Sequence, residues 1–124
     1  MGLIKRRSPD ERRRYAFLHD IGVCAATGVE GDVHAAHIRG ADFYFNKPLA
    51  GMAIKPHWIW TLPLSPEAHR EQHAGNEKTF WEAHGFGWTD ILTSPLVVAL
   101  ALEGYRSMND VDGARRWLMR RSCK

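Results

Sequence analysis

With 124 residues, 44% of them hydrophobic and 25% charged, the chain has the length and balance of one compact globular domain, which excludes a disordered polymer and a lipid-spanning bundle. The longest apolar stretch, Pro95 to Leu102, is far too short to cross a bilayer, and the charged N-terminus carries no visible export signal, so the expected location is the cytoplasm. The net charge of +3 is unevenly spread. Lys5, Arg6, Arg7, Arg12, Arg13 and Arg14 face only Asp10 and Glu11 at the start, while Arg115, Arg116, Arg120, Arg121 and Lys124 close the chain without an acid, so the middle is acidic.

Basic ends suit a periphery that meets a polyanion, and equally suit two solvated helix faces. Cys24 and Cys123 are the only cysteines, too few for a disulfide framework or a four-cysteine zinc site, so any metal must lean on histidine.

Three helix starts share one punctuation. Ser8-Pro9, Ser65-Pro66 and Ser94-Pro95 each place a capping hydroxyl before a proline suited to the first turn. The first helix runs to about Gly22, with Glu11 at the capping-box spacing from Ser8. Short β-branched and aromatic runs predict two strands, Asp32 to Ile38 and His57 to Leu62, joined by a glycine-rich aromatic loop from Arg39 to Pro56. The second helix is expected from Pro66 to about Ala74, and a short third from Asn76 to Gly85. Pro95 to about Tyr105 reads as a buried helix, and Asp110 to Arg121 as an amphipathic one with Val111, Trp117 and Leu118 inward. Most of the five tryptophans are expected in the core, Phe80-Trp81 packing the third helix on the second.

Six of the seven histidines, His34, His37, His57, His69, His73 and His84, lie between Asp32 and Gly85. On a helix, His69 and His73 stand one turn apart on one face, the spacing at which two imidazoles can serve one ion. A β-ribbon beside that helix, bearing His37, would add a group able to take a proton from water next to a metal-bridged phosphate. His84 and His19 fall outside this constellation.

Cys24-Ala-Ala-Thr-Gly28, His34-Ala-Ala-His37-Ile38-Arg39, Gly51-Met52, Lys55-Pro56, Thr61-Leu62-Pro63-Leu64-Ser65, His69, Gln72-His73 and Phe80-Trp81 follow one another in an order that resembles the HNH nucleases of the Ref-like phage and prophage group, which includes a recombination-enhancement nuclease. The resemblance covers about residues 22–85. It implies an α+β protein with a ββα-metal core at 22–85, a basic helix at 1–21 before it, and C-terminal helices at 86–124 packed on it, all in one domain.

The implied activity is that of a metal-dependent DNA endonuclease or nickase, in a bacterial cell and phage or prophage encoded. The alternative is a non-catalytic DNA-binding or recombination accessory protein that keeps the HNH fold. The resemblance makes His37 the general base and His69 and His73 ligands of one divalent ion, Mg²⁺, Mn²⁺ or Zn²⁺. DNA is the implied partner, a RecA-type recombinase a further one, and a membrane is not.

Several positions depart from the family pattern. Ala36 stands where many HNH proteins have an acidic or histidine ligand. Strand alternation puts His34 on the same face, so it is either a substitute ligand or a histidine that orients the ribbon. The asparagine place falls near Trp60, leaving His57 to pin the loop backbone. Thr27 and Ser65 replace cysteines of a zinc knuckle, so no structural zinc is expected and Cys24 reads as a small buried residue. Arg39 and Lys55 either hold phosphates beside the cut or are solvated charges.

Overall fold

The computed structural model describes residues 7–39, 57–88, 90 and 92–122, the side chain of Ser122 excepted. It is an α+β fold with five helices and a two-stranded antiparallel sheet: α1 (Pro9–Ile21), β1 (His34–His37), β2 (Thr61–Leu64), α2 (Pro66–Ala74), α3 (Glu77–Ala83), α4 (Pro95–Ser107) and α5 (Val111–Ser122).

The serine caps act as local chemistry dictates. Ser8 Oγ accepts the Glu11 amide at 3.1 Å, Ser65 Oγ the Ala68 amide at 3.2 Å and Ser94 Oγ the Leu96 amide at 3.1 Å, each satisfying a donor that the first helical turn leaves without a partner. Helix α1 ends at Gly22, whose φ of 62° is the left-handed conformation that stops a helix cheaply only at glycine. Helix α2 has the expected span, while α3 is shorter than expected and α4 and α5 each extend slightly further.

The strands differ more. Both are four residues long, and β2 starts at Thr61, not at His57. Trp58 to Trp60 make a turn instead, closed by the Trp60 amide donating to the His57 carbonyl at 3.0 Å. Their aromatic and β-branched character favours a strand, but packing overrides that preference. The register pairs His34 with Leu64, Ala35 with Pro63, Ala36 with Leu62 and His37 with Thr61.

Pro63 is tolerated because its carbonyl points away from β1 and accepts the Ala25 amide at 2.8 Å. In an antiparallel pair a residue's N–H and C=O point to the same side, so the missing proline donor removes no ribbon bond.

One buried cluster joins the elements. Phe17, Leu18 and Ile21 of α1 meet Ala36 and Leu62 of the ribbon, Trp81 of α3, Leu96 and Leu102 of α4 and Leu118 of α5. Arg14 is 0% exposed in the middle of this packing, although its sequence neighbours made it part of a basic surface. Its Nε donates to Thr61 Oγ1 at 3.1 Å, Nη2 to the carbonyls of Ile59, Thr61 and Ala99 at 3.2, 2.7 and 3.2 Å, and Nη1 to Glu103 at 3.3 Å. Burial pushes its pKa down to about 10, opposed by Glu103. Arg14 is thus the bolt between α1, β2 and α4.

Candidate functional site

Alternation along β1 sorts its side chains onto two faces. Ala36 fills the core at 0% exposure, and on its face His34 reaches α2, with His34 Nδ1 3.0 Å from His69 Nδ1. On the other face His37 meets α1, its Nε2 3.0 Å from the Tyr15 hydroxyl. Each of the two helices thus holds one ribbon histidine.

On α2, buried Ala68 and Gln72 face inward, and that rotation of the helix sets His69 half-buried and His73 exposed beside the ribbon. The Nε2 atoms of His69 and His73 stand 3.2 Å apart. Two imidazole nitrogens on one tetrahedral ion stand about 3.3 Å apart, as bond lengths of about 2.0–2.1 Å require, so this pair has the spacing of two ligands. An N–H···N hydrogen bond accounts for the same contact without an ion.

His34 joins the cluster, as its place on the strand allowed, but at the opposite nitrogen of His69. Among the described residues no three His, Cys, Asp or Glu side chains converge on a point that could hold an ion. His69 has its pKa lowered, by burial first and then by His73, His34 and Arg39, which keeps a nitrogen lone pair available. The donor set fits a soft or borderline cation through two nitrogens, with His34 needing its ring re-aimed to become a third.

His37 is held by a relay from α1. Tyr15 donates its only proton to Glu11 Oε2 at 2.9 Å, so its oxygen accepts from His37 Nε2–H at 3.0 Å. That assigns the lone pair of the neutral ring to Nδ1. Tyr15 has its pKa raised, by burial first and then by Glu11, and stays a phenol. A groove of about 300 Å³ runs between α1 and β1, with His34 and His37 in one wall and Arg7, Tyr15 and His19 in the other. His19, placed outside the constellation by sequence, thus belongs to its rim.

No family model, curated protein or solved structure matches this chain.

The amide that pins the ribbon backbone is Gln72. Its Nε2 donates to the His37 carbonyl at 2.9 Å and to Glu77 Oε2 at 3.2 Å, while Glu77 accepts the Arg39 amide at 2.9 and 3.2 Å. The sequence signal was present in Gln72, which lies four residues after Ala68 on the inner face of an otherwise polar helix. His57 does a smaller job: Nδ1 accepts the Ile59 amide at 3.1 Å and the ring lies 4.8 Å from that of Trp58, pinning the turn ahead of β2. The charge of Arg39 is felt at His69, whereas Lys55 lies outside the described residues.

Cys24, Thr27 and Ser65, the positions of the knuckle in the family pattern, do meet. Burial alone would raise the Cys24 thiol, but hydrogen bonds from Ser65 and Thr27 outweigh it and hold the pKa below the ordinary value. The Cys24 turn is closed by the Gly28 amide on the Cys24 carbonyl at 2.7 Å and by the Cys24 amide on the Val29 carbonyl at 2.9 Å. A thiol and two hydroxyls occupy the knuckle positions, in a hydrogen-bonded turn.

Proposed function

We propose that the protein is a metal-dependent DNA endonuclease or nickase of HNH type, built on a β1–β2–α2 metal core. The observation that carries the reading is the combination of a helical histidine couple at ligand spacing with a groove that has both His34 and His37 in its wall. His69 and His73 would hold the divalent ion, Mg²⁺, Mn²⁺ or Zn²⁺, with His34 beside them. Bound there, it would supply charge neutralisation at the scissile phosphate and the leaving oxygen.

The chain's own residues provide the rest. Glu11 and Tyr15 fix the His37 tautomer, so that Nδ1 takes a proton from the attacking water. Gln72 holds the His37 carbonyl and hence the ring's position. Arg7 in the groove and Arg39 beyond β1 offer cations to the flanking phosphates, and Lys55 joins them on the resemblance alone. Among the described residues the edge of β1 away from β2 has no strand partner, which leaves room for a phosphodiester to reach both faces of the strand.

Supercoiled plasmid with Mn²⁺ or Mg²⁺ tests this. Wild type should nick or linearise it, EDTA should stop the reaction, and His37→Ala should slow it about 10²–10⁴-fold, the share a positioned general base contributes. Ala36, fully buried where many HNH proteins place a ligand, and the divergent nitrogens of His34 and His73 favour a second reading, a DNA-binding or recombination accessory protein without catalysis. Wild type that binds DNA but cuts no faster than His37→Ala decides for it. In either form a RecA-type recombinase is the proposed protein partner.

A further inference from the structure

Away from the ribbon histidines, the last turn of α5 carries a half-buried cation without a counter-charge. The Arg121 guanidinium lies over the Phe86 ring at 4.9 Å from its centroid and over the Trp117 ring at 5.6 Å. Stacking satisfies the charge partially through the ring faces, yet leaves the N–H fork without acceptors, because those donors lie in the guanidinium plane. Among the described residues no acid or carbonyl takes a hydrogen bond from Arg121, and burial alone acts on its pKa, lowering it. The other arginines tucked against the body differ. Arg14 has Glu103 and three carbonyls, and Arg115 donates to the carbonyls of Ile21 and Asp20 at 2.8 and 2.9 Å.

Arg121 borders a pocket of about 340 Å³ whose wall also includes Thr27, His84, Gly85 and Thr93. Thr27 belongs to the Cys24 turn. Thr93 directly precedes Ser94, the N-cap of α4, and so stands near the positive end of that helix. His84 Nε2 is occupied by Glu71 Oε1 at 3.1 Å, which holds the ring in place as part of the wall. The Thr27 hydroxyl is engaged by Cys24 and the Val29 amide, which leaves the planar Arg121 cation and the Thr93 hydroxyl, with no carboxylate in the lining, as the complement of an oxyanion.

We propose that this pocket is a phosphate-binding site, with Arg121 as the charged fork and Thr93 as a hydroxyl donor. The aromatic pair Phe86 and Trp117 pre-positions Arg121, so the ordering cost is met before the anion arrives. The phosphate belongs either to a polynucleotide backbone or to a free phosphate compound. In the first case the site is a second point of purchase on DNA, a form that rests on the DNA-binding reading above. The second form does not.

The test has two arms. In metal-free protein, inorganic phosphate is titrated while the arginine Nε–H and backbone amide resonances are followed by NMR, with sodium chloride at matched ionic strength as control. The Arg121 Nε–H and the Thr27 and Thr93 amides should shift saturably in the millimolar range with phosphate and not with chloride. Arg121→Gln should abolish saturation, and Thr93→Val, which leaves the aromatic stack untouched, should weaken it several-fold. No saturable shift up to tens of millimolar, or equal saturation in Thr93→Val and Arg121→Gln proteins that melt like wild type, overturns the proposal.

The second arm measures affinity for a short duplex against salt. A slope of log K against log salt reduced by about one in Arg121→Gln identifies backbone phosphate as the source. An unchanged slope with phosphate binding intact in wild type identifies a free phosphate compound. Neither arm involves cleavage, so an inactive nuclease leaves this proposal standing and an empty pocket leaves the nuclease reading standing.

Discussion

Arg14 and Tyr15 are adjacent in sequence and serve opposite ends of the molecule's chemistry. Arg14 turns into the core, where its charge is offset by one carboxylate and held by three carbonyls and a hydroxyl. Removing one partner of a buried charged network costs more than the network contributes, because the remaining polar groups stay buried without a match. Arg14→Ala is therefore expected to destabilise the fold by about 3–5 kcal/mol, read as a lowered urea midpoint. Glu103→Gln should cost clearly less, since the amide oxygen of the replacement still accepts and Glu103 itself is partly solvent-exposed and shared with Arg106. Equal losses in the two variants would contradict Arg14 as the bolt between α1, β2 and α4. Tyr15, one residue on, points to the groove and fixes a histidine tautomer, a role invisible in the sequence because Glu11, Tyr15 and His37 meet only once α1 has packed on β1.

At the level of elements, the helix starts were legible because a serine cap and a first-turn proline act within four residues, independent of the rest of the fold. The location of His69 and His73 on one helix followed from the same local signals. Strand bounds were not legible: Trp58-Ile59-Trp60 has strand composition, but the buried Arg14 draws the Ile59 and Thr61 carbonyls and the chain turns there. The face on which each ribbon histidine lies followed from alternation, yet its partner did not, since that depends on which helix packs on which face. Helix α2 makes the point through Gln72, whose donor bonds couple the ribbon to α3. Gln72→Met keeps the volume, removes both donor bonds and leaves the His37 carbonyl and Glu77 without them, and should cost about 1–3 kcal/mol. Gln72→Glu removes the donors and adds a charge beside Glu77, so it should destabilise more than Met at neutral pH and recover part of the difference in acid. Equal stability of the two variants by urea unfolding would mean that the Gln72–Glu77 contact does not couple these elements.

For the whole molecule, the basic ends do not present all of their charge to solvent. Arg14, Arg115 and Arg121 pack against the body, while among the described residues of the two end segments Arg7, Arg12, Arg13, Arg116 and Arg120 face outward. Those arginines contribute to long-range attraction for a polyanion, and His69 contributes to the pH response. His69 titrates below the ordinary histidine value in the folded chain because of burial, then His73, His34 and Arg39. The unfolded chain thus binds the proton more readily. Stability contributed by this site is present above the ordinary histidine range and declines as pH falls through about 6.5. In EDTA, the melting temperature should drop between neutral pH and about pH 5.5, and His69→Gln should flatten that slope; an equally steep slope in the variant assigns the acid sensitivity elsewhere.

Metal binding should deepen the same linkage, since an ion on His69 and His73 requires both rings neutral. An ion that binds the folded chain alone at about 100 times its dissociation constant adds about 2.7 kcal/mol, on the order of 10 °C in melting temperature for a domain of this size. Zn²⁺ or Mn²⁺ added to chelator-treated protein should raise the melting temperature at pH 7.5 and much less at pH 5.5. His73→Ala should abolish the rise, because a single imidazole at His69 loses the second donor at 3.2 Å. His34→Ala separates the two arrangements of the cluster. Retention of the full rise identifies a two-nitrogen site completed by water and phosphate, whereas a loss equal to that of His73→Ala identifies His34 as a third ligand that turns its ring to the ion. A rise that survives His73→Ala would move the metal away from α2 and with it the chemistry assigned to this helix.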